Sequence, residues 1–463
     1  MNYKIKGIPK YYTPGLLKEI ICKAIKLEGN NYKLVYKKGS NYAYVHLKVE
    51  SPIKEEDFVI SPKPTVVLKF KKIEEARKEK VKTEVDLKNI DIRDVVTPMW
   101  KLDYKDQLDQ KSEELTKCFS KLYGKKLYIE KSKQFHRNNC QFAFGFDIEG
   151  KPILGFRGTS FVNNKNLVFS IEKCLNVSNN MKTKVNKINE LLGEWMIYDR
   201  NTGNGYLKLA MMREIGNEEI CLVSIKSVDK NPKEIIDVIT QFPFNNLFVQ
   251  FDESNFEGFK QSELLKIRGE SALIQEFMGF KFSISPFSFF QTNIFITELL
   301  VNKIIKMSSN KRVLLDLCCG TGIFSIVLSK YFTKCIGIDL NESCIKDAIK
   351  NKELNSDLNN VKFLIGDVEK TIEYFDEPST AILDPPRAGV SKKTIQNIRA
   401  SENIKEIFYI SCNYKGAYAN IEDLCRAPSN SYKNMPFSIV GIWGFDMFPN
   451  TNGVEVLFQL KRE

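Results

Sequence analysis

Val313-Leu314-Leu315-Asp316-Leu317-Cys318-Cys319-Gly320-Thr321-Gly322 is an apolar run that enters a glycine-containing turn. The run reads as a buried strand, and helical periodicity resumes after Gly322, so the segment is a strand–turn–helix junction. Glycines in such a turn let a ligand approach the backbone. Outward from this junction, strands at 312–317, 335–339, 361–365, 380–384 and 406–411 are interleaved with helices at 323–330 and 342–352. Strands separated by helices predict a right-handed, parallel, doubly wound α/β sheet, with its ligand at the carboxyl ends of the strands.

Upstream the alternation stops. Residues 94–284 mix a helix expected over 104–121, strand-like runs at 140–147 and 206–212, and Gly/Asn turns, which reads as a central α+β domain before a domain at 285–463. The run Lys71 to Lys82 is charged and helical in pattern, placing a linker at 73–93. Residues 1–72 form an N-terminal module with strands near 3–8, 32–37, 41–48 and 65–70. Thr13-Pro14 caps a helix running to about Lys26, and a second helix is expected between Val49 and Pro64.

A length of 463 residues fits this multidomain reading, and 43% hydrophobic with 27% charged residues fits a folded globular protein. No run of eighteen apolar residues exists, and Met1-Asn2-Tyr3-Lys4 opens no signal or transit segment, so no membrane partner is expected. Of the net charge of +12, residues 1–85 carry most, with 19 basic against 10 acidic side chains. A basic module favours a polyanionic partner such as nucleic acid. Eleven cysteines form no C-x-x-C pair, which argues against a zinc or iron–sulfur site and for reduced thiols in cytoplasm or nucleus. With only His46 and His136 present, an enzyme here must use carboxylates, thiols, lysines or a cofactor.

Asp339 ends Ile336-Gly337-Ile338-Asp339 and stands seventeen residues past Gly322, placed to accept hydrogen bonds from ribose hydroxyls. Ile323-Phe324-Ser325 stands where a dinucleotide fingerprint wants its third glycine, and the D-x-x-x-G-x-G form resembles S-adenosylmethionine-dependent methyltransferases instead. On that reading Gly366-Asp367 faces the adenine. Leu383-Asp384-Pro385-Pro386-Arg387 ends a further strand with a carboxylate and a rigid turn. Arg387 stands where amino-group methyltransferases carry a base-stacking aromatic, which argues against exocyclic-nitrogen methylation. Cys412 leaves the strand Phe408-Tyr409-Ile410-Ser411 on the same side, and Glu455 follows Cys412 by 43 residues at the start of the last strand. By residue type alone, Cys412 is packing and Glu455 a solvated face.

Ser285-Pro286-Phe287-Ser288-Phe289-Phe290-Gln291-Thr292-Asn293, Asp316 to Gly322, Asp384 to Gly389, Tyr409 to Asn413 and Asp446 to Glu455 together resemble the RNA uracil-5-methyltransferase family. The match covers about 270–463 and extends more loosely through Tyr104-Lys105-Asp106-Gln107-Leu108 and Phe135-His136-Arg137-Asn138. Leu424-Cys425-Arg426-Ala427-Pro428-Ser429-Asn430 and the N-terminal module most resemble its eukaryotic, tRNA-acting homologue A branch. That module resembles an RNA recognition motif, with Tyr42 and Tyr44 as base-stacking rings; the alternative is that both pack in a core or on a protein.

The resemblance implies a Rossmann-like catalytic domain that binds S-adenosylmethionine and forms 5-methyluridine at the T-loop uridine of tRNA, position 54. It assigns Cys412 as nucleophile and Glu455 as base. It places the cofactor on Gln291, Asp339, Asp384, Cys318, Gly320 and Asp367, and RNA on Tyr42, Tyr44, Arg137 and Arg387. Arg387 either stabilises uracil O4 or shapes its loop. One bacterial branch carries a cysteine-ligated iron–sulfur cluster, for which this chain lacks the spacing, so no metal is expected; a monomer is. Two alternatives stay open: an RNA cytosine-5-methyltransferase, and an RNA-binding or tRNA-folding protein whose methylation is vestigial.

Overall fold

The computed structural model describes residues 2–6, 8, 12–13, 15–19, 32–35, 42–47, 57–62, 65–73 and 90–463, except 159–164, 228–231, 255 and 372–375. The chain forms two compact units, Met1–Leu87 and Lys88–Glu463.

The N-terminal unit is an antiparallel sheet of β1 (Asn2–Lys6), β2 (Tyr32–Val35), β3 (Tyr42–Leu47), β4 (Asp57–Pro62) and β5 (Thr65–Ile73), in the order β2-β3-β1-β5-β4. A helix, α1, occupies 15–19, and the Thr13 hydroxyl accepts the Leu16 N–H at 3.2 Å, so the threonine caps as its type predicts. The rest of that expected helix lies outside the described residues. Ile5, Leu17, Ala43 and Val45 are buried, while Tyr42 faces the other way and is exposed. The second helix expected between Val49 and Pro64 is not what 57–62 form. Val59, Val66 and Val67 favour an extended hairpin, and β4 pairs with β5. Lys71 to Ile73 likewise continue β5 rather than begin a helix, because they pair with Asn2 to Lys4.

Among the described residues the second unit holds a six-stranded sheet and an eight-stranded sheet on a shared core, with a two-stranded hairpin between them in sequence. Its first elements are α2 (Ile92–Val96), α3 (Tyr104–Phe119) and β6 (Ile129–Glu130). Next come β7 (Asn139–Phe146), β8 (Pro152–Gly155), α4 (Asn179–Asn189), β9 (Leu207–Ile215), β10 (Glu218–Ile225), α5 (Lys233–Ile239), β11 (Asn246–Phe251) and β12 (Leu265–Arg268). Their strands form a six-stranded sheet ordered β12-β11-β10-β9-β7-β8. A hairpin of β13 (Leu273–Phe277) and β14 (Phe280–Ile284) leads to α6 (Ile294–Met307).

The large sheet follows from β15 (Val313–Leu317), α7 (Ile323–Leu328), β16 (Lys334–Asp339), α8 (Glu342–Glu353), β17 (Val361–Ile365), α9 (Val368–Thr371), β18 (Ser379–Leu383), α10 (Lys392–Ala400), β19 (Ile404–Ser411), α11 (Tyr414–Cys425), β20 (Ser438–Phe445) and β21 (Glu455–Lys461). Its order is β17-β16-β15-β18-β19-β21-β20-β6. The first five run parallel, as the alternation predicts, and β21 returns antiparallel between β19 and β20. Strand order reverses between β15 and β18, which opens a crevice at their carboxyl ends.

One core runs from Leu222 and Phe248 of the middle sheet through Phe282 and Leu300 to Ile382 and Phe408 of the large one. The opposite face of the large sheet is covered by α10, α11 and, from far earlier in the chain, Leu115 and Phe119 of α3. The edge strand β6 also comes from that early segment and pairs with β20.

Candidate active site

The crevice has two ends. At one, the backbone N–H groups of Cys318 and Cys319 donate to Ile338 O at 2.9 and 3.0 Å, pinning the turn after β15 to β16. Cys318 and Gly320 adopt φ of +78° and +53°, and Gly322 at +84° packs so tightly that a side chain there would strike the Phe363 ring. Gly320 N–H donates to Asp339 Oδ2 at 3.0 Å, and Asn341 N–H to Oδ1 at 2.8 Å. Asp367 turns its Oδ1 to Glu369 N–H at 2.9 Å, ordering the start of α9.

Three apolar side chains edge this turn: Leu340 (75% exposed), Ile365 (58%) and Phe289 (62%). Phe289 is tied to the turn by the Thr321 hydroxyl, which donates to its carbonyl at 3.2 Å. A Cβ built on Gly320 would meet only open space. Open backbone, a carboxylate and exposed apolar flanks fit an adenosine-bearing ligand.

Asp316 was read only as part of the turn motif, and its own part emerges here. It is fully buried, its Oδ2 accepts the Ser325 N–H and hydroxyl at 3.0 and 2.7 Å, and it thereby fixes α7 under the turn. Burial first, then the charge of Asp339, pushes its carboxyl up to about 7. Its Oδ1 meets no donor among the described residues.

At the other end Cys412 follows β19, half-buried, and Asn413 caps α11 by accepting Gly416 N–H at 3.2 Å. The Asn413 amide also donates to Arg387 O at 3.0 Å, joining the Pro-Pro-Arg turn to the cysteine. A cavity of about 290 Å³ is lined by Cys412, Arg387, Arg137, Phe135, Phe448 and Thr451 among others. Burial, then the negative charge of Glu455, raises the Cys412 thiol above its ordinary value, and the Arg387 guanidinium beside the sulfur opposes them. Glu455 opens β21 and is buried, and burial with the charge of Asp384 holds its carboxyl well above the usual range. Asp384, at the end of β18, is pushed to about 7 by burial and by Asp316. The Gln291 amide donates to its Oδ2 at 3.5 Å. Asp384 stands close enough to Cys318, Cys412 and Glu455 to act on their charge, and Arg137 and Arg387 join Cys412 in one cavity. Tyr42 lies in the other unit, and the side chain of Tyr44 is outside the described residues.

Positioning falls to residues that composition did not single out. Lys111 Nζ meets Asp446 Oδ1 at 2.5 Å and Phe448 O at 3.2 Å, and Tyr104 donates to Asp446 Oδ2 at 2.8 Å. Burial lowers the Lys111 ammonium despite the attraction of Asp446. Gln107 donates to Asn450 Oδ1 and accepts Asn450 N–H, both at 3.0 Å. Tyr104, Gln107 and Lys111 sit at i, i+3 and i+7, one face of α3, and that spacing of polar residues was the available signal. Asn293 caps α6 and donates to Ser132 Oγ at 2.9 Å, anchoring the segment that leads to Phe135 and Arg137.

No helix among the described residues is long and apolar enough to cross a membrane, and none of their His, Cys, Asp and Glu side chains cluster as a metal site.

The fold is a doubly wound α/β domain with a strand-end thiol near the carboxyl ends of its parallel strands, and comparison with known proteins specifies its family. Residues 270–463 match the family described as tRNA (Uracil-5-)-methyltransferase. An uncharacterized RNA methyltransferase of Clostridium tetani is 32% identical over 382 residues, covering 78% of this chain and 80% of that one. The tRNA (uracil-5-)-methyltransferase homolog A of Mus musculus is 28% identical over 444 residues, 84% of this chain and 71% of its own. The crystal structure of Pyrococcus abyssi tRNA (uracil-54, C5)-methyltransferase, in complex with S-adenosyl-L-homocysteine, superposes with a TM-score of 0.63 at 22% identity, over 79% of this chain and 86% of that one. The chain belongs to the tRNA (uracil-5-)-methyltransferase family of enzymes.

Proposed function

We propose that this chain methylates carbon 5 of a uridine in tRNA, the T-loop uridine at position 54, with S-adenosylmethionine as donor. The observation that carries the reading is the convergence of Cys412, Arg387 and Arg137 in one cavity, with the buried Glu455 acting on the same sulfur. Gln291, Asp339, Asp384 and the Cys318 to Gly320 turn would hold the donor, with Asp367 toward its adenine, in a Rossmann-like domain. Bound there, it supplies an electrophilic methyl group.

Carbon 5 of uracil is a poor nucleophile. The Cys412 thiolate adds to carbon 6, the carbon 5–carbon 6 π pair shifts toward O4, and carbon 5 gains the electron density that methylation needs. Arg387 favours the thiolate and stands where O4 charge develops. After methylation, Glu455 takes the carbon-5 proton. The electrons of that bond re-form the ring double bond as the sulfur–carbon 6 bond breaks. Its raised pKa makes Glu455 the stronger base. The target must leave its stack to reach Cys412, and Arg137 faces the RNA entering the cavity.

The N-terminal unit serves as an RNA-recognition-motif-like module. Support comes from its basic charge, its strand order with β1 central and the exposed ring of Tyr42; Tyr44 follows on the same strand.

The test is to incubate the full chain with unmodified tRNA transcript and methyl-labelled S-adenosylmethionine, then analyse nucleosides. The expected product is 5-methyluridine at position 54. 5-Methylcytidine, or tRNA bound without methylation, would overturn the reading.

A further inference from the structure

Residues 121–137 hold six cations, Lys121, Lys125, Lys126, Lys131, Lys133 and Arg137, against one carboxylate, Glu130. Residues 88–463 as a whole carry 50 basic and 46 acidic side chains, so this one segment accounts for the positive excess of the second unit. All six cations are exposed, and none forms an ion pair among the described residues. Four of them lie over aromatic rings instead. Lys125 stands over Tyr123 and Lys126 over Tyr128, each 5.4 Å from the ring centroid, with Lys133 over Phe295 at 5.3 Å and Arg137 over Phe448 at 5.9 Å. Tyr128 is 70% exposed, more than any other aromatic side chain among the described residues.

The backbone that displays these groups is pinned along its length and ends at the Cys412 cavity. β6 runs parallel to the end of β20, and Asp446 N–H donates to Glu130 O at 2.9 Å. Met447, Phe448 and Pro449, which follow Asp446, line the cavity. Ser132 N–H donates to the Tyr104 hydroxyl at 2.8 Å and Arg137 N–H to Asn176 O at 3.1 Å, and Phe135, His136 and Arg137 line the cavity as well. Tyr128 is seven residues before Phe135 and therefore within about 25 Å of it. Unpaired cations interleaved with rings, on a strip that ends at the reaction cavity, match a polyanion that also carries bases to stack.

We propose that residues 121–137 are a track for the substrate RNA, holding the sugar–phosphate backbone of the strand that leads to the reacting uridine. The inference rests on the proposed tRNA methylation and adds to it an RNA surface carried by the second unit itself. The lysines neutralise phosphates without reading sequence, and Tyr128 offers its face to an unpaired base. Contacts beside the reacting nucleotide offset part of the cost of turning it out of its stack.

The test uses the full chain with Lys126→Gln, Lys131→Gln and Lys133→Gln combined, and unmodified tRNA transcript. KM for tRNA should rise at least tenfold with kcat unchanged, and the slope of log affinity against log salt should lose about two units. Affinity for S-adenosylhomocysteine should stay the same. The matching triple Lys→Arg variant should restore both KM and slope, which a loss of packing alone would not produce. With Tyr128 replaced by p-azidophenylalanine, photo-crosslinks should fall within about seven nucleotides of the methylated uridine, the number that 25 Å spans at 3.4 Å per nucleotide. An unchanged KM and salt slope in the Gln variant while wild type forms 5-methyluridine would overturn the track, leaving the strip to an acidic protein partner. Crosslinks confined to distant nucleotides would overturn it too, with the methylation still standing. Absence of 5-methyluridine with wild type would overturn the methylation and the track together.

Discussion

The two ends of one crevice are built in different ways. The turn at 318–322 is held by its own neighbours: Ile338 takes its N–H groups, Asp339 receives Gly320, and Asp316 secures Ser325, all within one β-α-β unit. The Cys412 end draws Arg137, Arg387, Cys412, Phe448 and Glu455 from segments more than 300 residues apart, and α3 clamps its 446–450 loop through Lys111, Tyr104 and Gln107. A local motif makes its geometry from backbone hydrogen bonds that any fold of this type forms. A dispersed site has its geometry only after the core has packed, so its supporting residues are as consequential as its reactive ones.

The sharpest break between the two ends is chemical. Cys412→Ala should lower methyl transfer on the order of 10⁴-fold or more while binding of S-adenosylhomocysteine, read by calorimetry, is unchanged. Next, Glu455→Gln should cut turnover roughly 10²- to 10⁴-fold and accumulate a covalent RNA adduct on denaturing gels, because addition survives and proton removal does not.

The third prediction concerns the local end. The Asp316 carboxyl titrates near 7 in the fold and near 3.8 when unfolded, so the folded state holds its proton more tightly. Stability attributable to Asp316 is therefore complete below about pH 4 and is lost as pH rises toward about 7, by up to about 4 kcal/mol. Asp316→Asn should remove that slope from the difference in urea-unfolding free energy between the two proteins.

Lys111→Met leaves Asp446 charged and buried, and should cost about 3 kcal/mol in urea unfolding, with kcat falling and S-adenosylhomocysteine affinity retained. Lys111→Met with Asp446→Leu should recover most of the stability without the activity, which separates fold from positioning. The smallest effect is that of deleting residues 1–85, expected to weaken tRNA affinity about tenfold and to flatten its salt dependence, with cofactor binding intact. Loss of cofactor binding in that truncated protein would contradict the division of labour.

The parallel strands were legible because period and composition agree there. The expected strand at 361–365 is Val361–Ile365, and that at 335–339 is Lys334–Asp339. Each candidate site residue stands in a motif that is visible in the sequence. The N-terminal module was less legible, since Asp57–Pro62 forms a strand paired with the expected strand at 65–70 where a helix was expected. Nor did local pattern reveal that α3 and β6 belong to the packing of the large sheet, since a helix's partners are set by what its buried face meets and not by its period.

The sequence by itself determined the alternating α/β order, the glycine turn and the identity of the thiol and carboxylates, because these depend on short-range pattern and residue chemistry. Only the tertiary structure decided that Lys111 would neutralise Asp446 and that Arg137 would share a cavity with Cys412. Those outcomes follow from how the middle sheet and an early helix pack on opposite faces of the large sheet, a long-range packing solution that no stretch of neighbouring residues encodes.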